Sequence, residues 1–154
     1  YVALGLMSTA ETSTVLIDTF NNSDDYNAKC FAAVGLGLSG RIDAGDCLNN
    51  FFKLMPSKRS WRQVDDLVIA SLLAAKINTS VDYSKNLLKM TTVMDKRKAS
   101  DELQVAAINA LAATADTKAI EVLVENIKSR SEVVAEACIV ALGHFGNKVV
   151  LKLQ

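Results

Sequence analysis

The chain has one proline among 154 residues, one histidine, one tryptophan and only 6% aromatic residues. Its 17 basic and 17 acidic side chains cancel to a formal net charge of zero. Each shortage excludes something. Without proline the main helix breaker is missing, so long stretches are free to be helical. A single histidine, His144, leaves no His pair for a metal site and little for a proton relay; at a helix end it serves the dipole or solvent. Zero net charge removes the basic excess of a domain that holds nucleic acid chiefly through phosphates. Cysteine is odd in number (Cys30, Cys47 and Cys138) with no C-x-x-C spacing. The three read as small apolar residues in a reducing, cytoplasmic-type compartment rather than as a disulfide framework.

Long hydrophobic runs are also lacking. The longest nearly apolar stretch, "LVIASLLAA" at 67–75, falls short of the roughly 20 residues that cross a bilayer, so no membrane insertion is expected. No P-loop, G-x-G-x-x-G, H-E-x-x-H or EF-hand pattern occurs. The adjacent acids Asp24–Asp25 and Asp65–Asp66 fall where helix starts favour negative charge. No enzyme, cofactor or metal ion is therefore expected.

What is present is aliphatic: 50% of the chain is hydrophobic and mean hydropathy is +0.19. The word "VALG" occurs at 2–5 and again at 140–143. Related words follow Leu4, Leu36, Leu73, Leu111 and Leu142, every 31 to 38 residues, each a Leu followed by Gly or Ala. Such a period marks a repeat architecture. Each word closes a segment with helical apolar spacing, such as Ala28, Phe31, Ala32, Gly35, Leu36 or Val134, Ala137, Cys138, Ala141, Leu142. These are the B helices. Between them lie A helices at 10–20, 43–55, 82–94 and 117–128, each with its own stripe. Ser8 with Glu11 and Ser60 with Gln63 have capping-box spacing. Asp43, Asp82, Ser100, Asp116, Ser131 and Asn147 are candidate N-caps.

The predicted fold is all-α: an α-solenoid of about four stacked antiparallel helix pairs, truncated at both ends, because one pair cannot bury its apolar faces alone. The units run 1–8 (partial), 9–40, 41–78, 79–115, 116–146 and 147–154 (partial) in a single domain. The small residue after each marker Leu is expected to admit close helix approach at Gly5, Gly37 and Gly143. Since both ends cut through a unit, the chain is expected to be part of a longer protein, with its native N-terminus and targeting signals upstream, or to self-associate through its uncapped ends as a homodimer.

The pattern resembles HEAT repeats, particularly the short HEAT-like units of phycobilisome lyases. Ser131, Val134, Ala137, Cys138, Ala141, Leu142, Gly143, Phe145 and Gly146 match that unit, as do Ser100, Leu103, Ala106, Ala107, Ala110 and Leu111. The family's Arg after the Val stands here as Lys29, Gln104 and Ala135, and its Pro early in helix A is absent. The resemblance implies a binding scaffold whose B helices line the concave side. HEAT-like enzymes such as alkylpurine DNA glycosylases or bilin lyases need an aromatic-lined basic groove or a bilin pocket, which one Trp and three Tyr do not assemble.

Two candidate surfaces follow. On the B helices, Lys29, Cys30, Val34, Gln104, Val105, Asn109, Glu136 and Val140 are expected to face away from the A layer, with an apolar row of Cys30, Val34, Val105 and Val140 for a partner protein. At the A-to-B turns, Lys58, Arg59, Trp61 and Arg62, then Lys96, Arg97 and Lys98, then Lys128 and Arg130 form a basic ridge suited to an acidic or nucleic-acid partner. The expected role is a non-enzymatic protein–protein interaction scaffold that uses the concave B face; the alternative is phosphate-ligand or nucleic-acid binding on the ridge.

Overall fold

The computed structural model describes residues 1–55, 65–97 and 99–146, without the side chains of 95–97. The described residues form nine helices and no strand: α1 (Val2–Met7), α2 (Ala10–Asn22), α3 (Tyr26–Ser39), α4 (Ile42–Leu54), α5 (Asp65–Ile77), α6 (Ser84–Arg97), α7 (Asp101–Ala113), α8 (Ala119–Asn126) and α9 (Glu132–Gly143). Odd-numbered helices are the expected B helices, and α2, α4, α6 and α8 the expected A helices. They fall into two compact units, Tyr1–Asp82 and Tyr83–Gln154.

In the first unit α3 is central. It packs beside α1 and α5 and against α2 and α4. Its contact face is built from small residues: Ala28, Ala32, Ala33, Gly35 and Gly37 are buried around Leu36. Two flanks of α3 need the absence of a side chain. A Cβ on Gly5 of α1 would fall 2.8 Å from Gly35 Cα, and one on Gly37 would fall 2.6 Å from Ala74 Cα of α5. Sheathed this way, the B helices lie edge to edge and leave α2 and α4 to cover the opposite side with Leu16, Phe20, Leu48 and Phe52, all buried. In the second unit α6 and α8 pack on each other, α7 packs on α6, and α9 packs on α7 and α8. Leu87, Met90, Met94, Leu103, Leu111, Leu123, Val134 and Cys138 fill that core at 0% exposure.

Helix starts follow side-chain chemistry. Ser100 and Ser131 cap α7 and α9, accepting from Leu103 N and Val134 N at 3.4 Å each. Asp25 caps α3 through Asn27 N (2.8 Å) and Ala28 N (3.2 Å). The first capping box differs from expectation. Thr9, not Ser8, caps α2, and Thr12 completes the box in place of Glu11. Ser8 instead ends α1 in the left-handed region, φ 50°. Asp43 and Asp116 are likewise not the caps: Arg41 and Lys118 hold those positions, and each aspartate accepts a nearby backbone N–H. Ser60, Gln63 and Asn147 lie outside the described residues.

The B-to-A turns of the first unit are tied together. Ser8 Oγ donates to Ser39 O across a sequence separation of 31. Asn78, fully buried, donates through Nδ2 to Leu36 O (3.2 Å) and Arg41 O (3.1 Å). Its Oδ1 accepts from Ser80 N at 3.0 Å and from Ser80 Oγ. One side chain thus joins Ser39 Oγ in serving the Leu36 carbonyl in the last turn of α3 and orders the loop into the next helix pair.

Two expectations need correction, while the third marker word keeps its small residue at a close approach: Ala74 is at 0% exposure beside Gly37, although Leu73 before it is 49% exposed and Leu72 is at 0%. Phe31, placed in the buried stripe of α3, is 57% exposed. Gly143 has nothing within 4 Å of where a Cβ would stand, so close packing does not account for it. In each case the short word is right for a helix end but says nothing of how the helix is rotated about its axis.

Candidate functional site

At 3.6 residues per turn, the buried positions of a helix fix which positions point away. In α3 the buried arc runs from Gly35, against α1, through Leu36 to Gly37, against α5. The opposite arc carries Asn27, Cys30, Phe31, Val34 and Leu38. In α5 the buried residues are Leu67, Val68, Ser71, Leu72, Ala74 and Ala75. The arc pointing away carries Asp66, Ile69, Ala70, Leu73 and Ile77. Phe31, Leu73 and Ile77 are 57%, 49% and 43% exposed, and Cys30, Val34, Leu38, Ile69 and Ala70 are half-buried. On α1, Val2 and Leu6 are exposed too. The first unit therefore turns a side-by-side layer of apolar side chains to solvent, with Asn27 and Asp66 as its polar members. Scattered exposed leucines need no explanation, but a contiguous face of this kind does.

The second unit carries the same arcs with more polar residues. On α7 the arc holds Glu102, Val105, Ala106, Asn109 and Ala113; on α9 it holds Val133, Glu136, Ala137 and Val140. Val133 and Val140 are 57% and 63% exposed, and Asn109 and Glu136 are exposed.

Of the residues expected to face away from the A layer, Cys30, Val34, Val105, Asn109, Glu136 and Val140 lie on these arcs. Lys29 and Gln104 do not. Lys29 Nζ donates to Asn21 O at the end of α2, 3.3 Å away, and Gln104 Nε2 donates to Ala99 O at 2.8 Å. Both occupy the position that turns toward the A helices, which Val68 fills in α5. The expectation took in one residue too many on that side. Missing from it were Phe31, Leu73 and Ile77, the most exposed apolar residues of the arcs on α3 and α5. No local signal set them apart, because Leu73 and Ile77 stand on a helix apolar nearly all round and Phe31 is next to the buried Ala32 in the same apolar spacing.

Only part of the expected basic ridge can be placed. Lys128 and Arg130 are exposed in the α8–α9 turn. Lys96 and Arg97 end α6 with their side chains outside the described residues, as are Lys58, Arg59, Trp61, Arg62 and Lys98 entirely. His144 is exposed at the C-cap of α9.

A cleft of about 580 Å³ opens between α2 and α4, lined by Ile17, Phe20, Asn21, Lys29, Asp43, Asp46, Cys47, Asn50, Phe51, Leu54 and Leu67. Phe20 and Phe51 meet edge to face, centroids 5.2 Å apart. Asp43 is paired with Arg41 Nε at 3.1 Å. Among the described residues no group of His, Cys, Asp and Glu is placed to hold a metal ion, and no helix is long and apolar enough to cross a membrane.

The three cysteines are free thiols. Burial pushes all of them up, Cys138 to about 11; the Asp66 carboxylate adds to the rise at Cys30, and an Asn21 hydrogen bond offsets part of it at Cys47. A neutral thiol is a poor nucleophile. Iodoacetamide at pH 8 is expected to label Cys30 and Cys47 slowly and Cys138 only after unfolding. For Cys138 the folded thiol ionises later than the unfolded one. Its contribution to stability is therefore complete below the unfolded thiol's pKa and is lost as pH rises toward about 11. Denaturant titrations between those limits should show stability falling by up to about 1.4 kcal/mol per pH unit from this group, and Cys138→Ala should flatten the slope.

No family model, no curated protein and no solved structure matches the chain.

Proposed function

We propose that the chain is a helical-repeat scaffold of the HEAT-like kind, in which A and B helices stack as an α-solenoid and a partner protein docks on the outward face of the B helices. The single observation that carries this reading is that face itself. Phe31, Leu73 and Ile77 in the first unit and Val133 and Val140 in the second are 43–63% exposed on helices whose other faces are packed. A protein core gains nothing from leaving such side chains in water, at roughly 25 cal/mol per Å² of apolar surface. Interfaces of stable complexes use this composition, an apolar centre with a polar rim, here supplied by Asn27, Asp66, Glu102, Asn109 and Glu136. The hydrogen-bonded B-to-A turns at Ser8–Ser39 and Asn78–Leu36 support the stacked arrangement.

The test is site-specific crosslinking. A photoreactive phenylalanine analogue at Val34, Leu73 or Val140 is expected to trap a protein, and the same group at Glu121 or Glu125, exposed on α8, is not. Leu73→Asp and Val140→Asp should each lower yield at least about tenfold without changing helicity, since a charge buried in an interface costs more than one left in solvent. Equal trapping from both sets of positions overturns the reading.

A further inference from the structure

We infer that the α3–α5 face of the first unit takes a basic amphipathic helix of a partner protein, with its basic residues at the end that lies over the starts of α3 and α5. This rests on the reading of the B-helix face as the binding surface and adds the chemistry of the segment that covers its first unit. The apolar face is the site; the charges on it select the occupant. Among the described residues, every charged side chain on the outward arcs of the B helices is an acid. In the first unit it is Asp66, exposed in the first turn of α5. In the second unit they are Glu102 and Glu136. The whole chain has 17 acids and 17 bases, so the segregation belongs to this face and not to the composition. The bases nearest the first-unit face are turned off it. Lys29 donates to Asn21 O of α2, and Arg41 pairs with Asp43. Lys76 stands two residues beyond Ala74, about 200° round α5 from the contact with Gly37.

The carboxylates gather at one edge. Tyr26 Oη accepts from Leu67 N at 3.0 Å, which joins the starts of α3 and α5. Asp24, Asp25 and Asp66 are exposed there, and the Asp66 charge reaches Cys30 on α3. Capping of α3 accounts for Asp25, and the helix dipole favours an acid in the first turn of α5; neither places Asp66 on the outward arc. From this edge the face runs apolar through Phe31, Val34 and Leu73 to Leu38 and Ile77, about 16 Å along α5 at the α-helical rise. Packed helices offer no free backbone to an extended peptide. A helix satisfies its own backbone and presents an apolar stripe of matching length in about three turns. A neutral or acidic segment laid there would desolvate Asp66 without pairing it, whereas a Lys or Arg at that end pairs it.

Fluorescence anisotropy with two labelled synthetic peptides tests this. Each has about 16 residues, long enough to form a helix on binding, with Leu at i, i+3, i+4 and i+7 spacing. One carries Lys at the polar positions of one end, the other Glu. The Lys peptide is expected to bind several-fold more tightly, by a margin that shrinks as salt is raised. The protein has no net charge, so overall attraction does not produce that margin. Asp66→Lys should remove the preference or reverse it. Leu73→Gln should weaken the Lys peptide several-fold with helicity unchanged. Asp46→Lys, exposed on α4 in the cleft between α2 and α4, should leave it unaltered. A Glu peptide that binds as well as the Lys peptide overturns the inference, as does a preference that survives Asp66→Lys or is lost on Asp46→Lys. Binding of neither peptide overturns it too; crosslinking of a protein from Leu73 then leaves the scaffold reading intact.

Discussion

Gly37→Leu is expected to prevent the first unit from folding, and Gly37→Ala to destabilise it by about 1–3 kcal/mol, the usual cost of overpacking a close contact. The added Cβ would stand 2.6 Å from Ala74 Cα and 2.9 Å from Ala74 Cβ and O. Those are backbone and near-backbone atoms of a buried helix, so neither side can yield by changing rotamer. Alanine recovers about 1 kcal/mol of helix propensity relative to glycine, which is why its net effect stays moderate. Leucine brings three more carbons into the same gap. Gly143→Ala is the control. It sits in the last turn of α9 with open space around it, so only the propensity gain remains, and a stabilisation of about 0.5–1 kcal/mol is expected. Urea unfolding monitored by circular dichroism checks both. Similar effects at the two glycines would mean that α3 and α5 do not approach as closely as Gly37 and Ala74 indicate.

Asn78→Ala is expected to cost about 2–4 kcal/mol, more than loss of a typical surface hydrogen bond. The amide is at 0% exposure and joins two carbonyls, Leu36 O and Arg41 O, to the backbone and hydroxyl of Ser80. Removal takes one bond from Leu36 O, which keeps Ser39 Oγ, and one from Arg41 O, which keeps Gly45 N; it also leaves Ser80 N without its Asn78 acceptor and opens a small cavity. Asn78→Asp is nearly isosteric yet should be worse at pH 7. It turns the donor that faced two carbonyl oxygens into a third acceptor, and it carries a charge. Part of the loss should return as pH falls below about 5, because a protonated acid donates one hydrogen bond again. Ser80→Ala should cost less, since Ser80 N still donates to Asn78 Oδ1 without the hydroxyl. The comparison of Asp, Ala and Ser80 variants by denaturant titration separates hydrogen-bond loss from cavity formation; if Asp and Ala variants match at both pH values, the amide's donors are not what holds the turn.

The amino-acid sequence by itself determined which segments are helices and how they alternate. Ser100 and Ser131 announce α7 and α9 through a local hydrogen bond to the third residue on, and the apolar spacing of 103–111 and 134–142 repeats within one helix. Both signals act over a few residues, so neighbours in the chain suffice to read them. The rotation of each helix about its own axis was decided only by packing. A 3.6-residue period relates positions within a helix to one another, but α5 is apolar nearly all round, and nothing local distinguishes Leu72, at 0% exposure, from Leu73. Contact with Gly37 on α3 makes that choice. The same dependence separates Gly37 from Gly143, identical in their short word and opposite in surroundings, and turns Lys29 and Gln104 toward the A side. Asn78 shows the limit most clearly. A lone asparagine in a polar turn reads as solvated, and it became the buried clasp of two turns because carbonyls 37 and 42 residues away in sequence arrive beside it on folding.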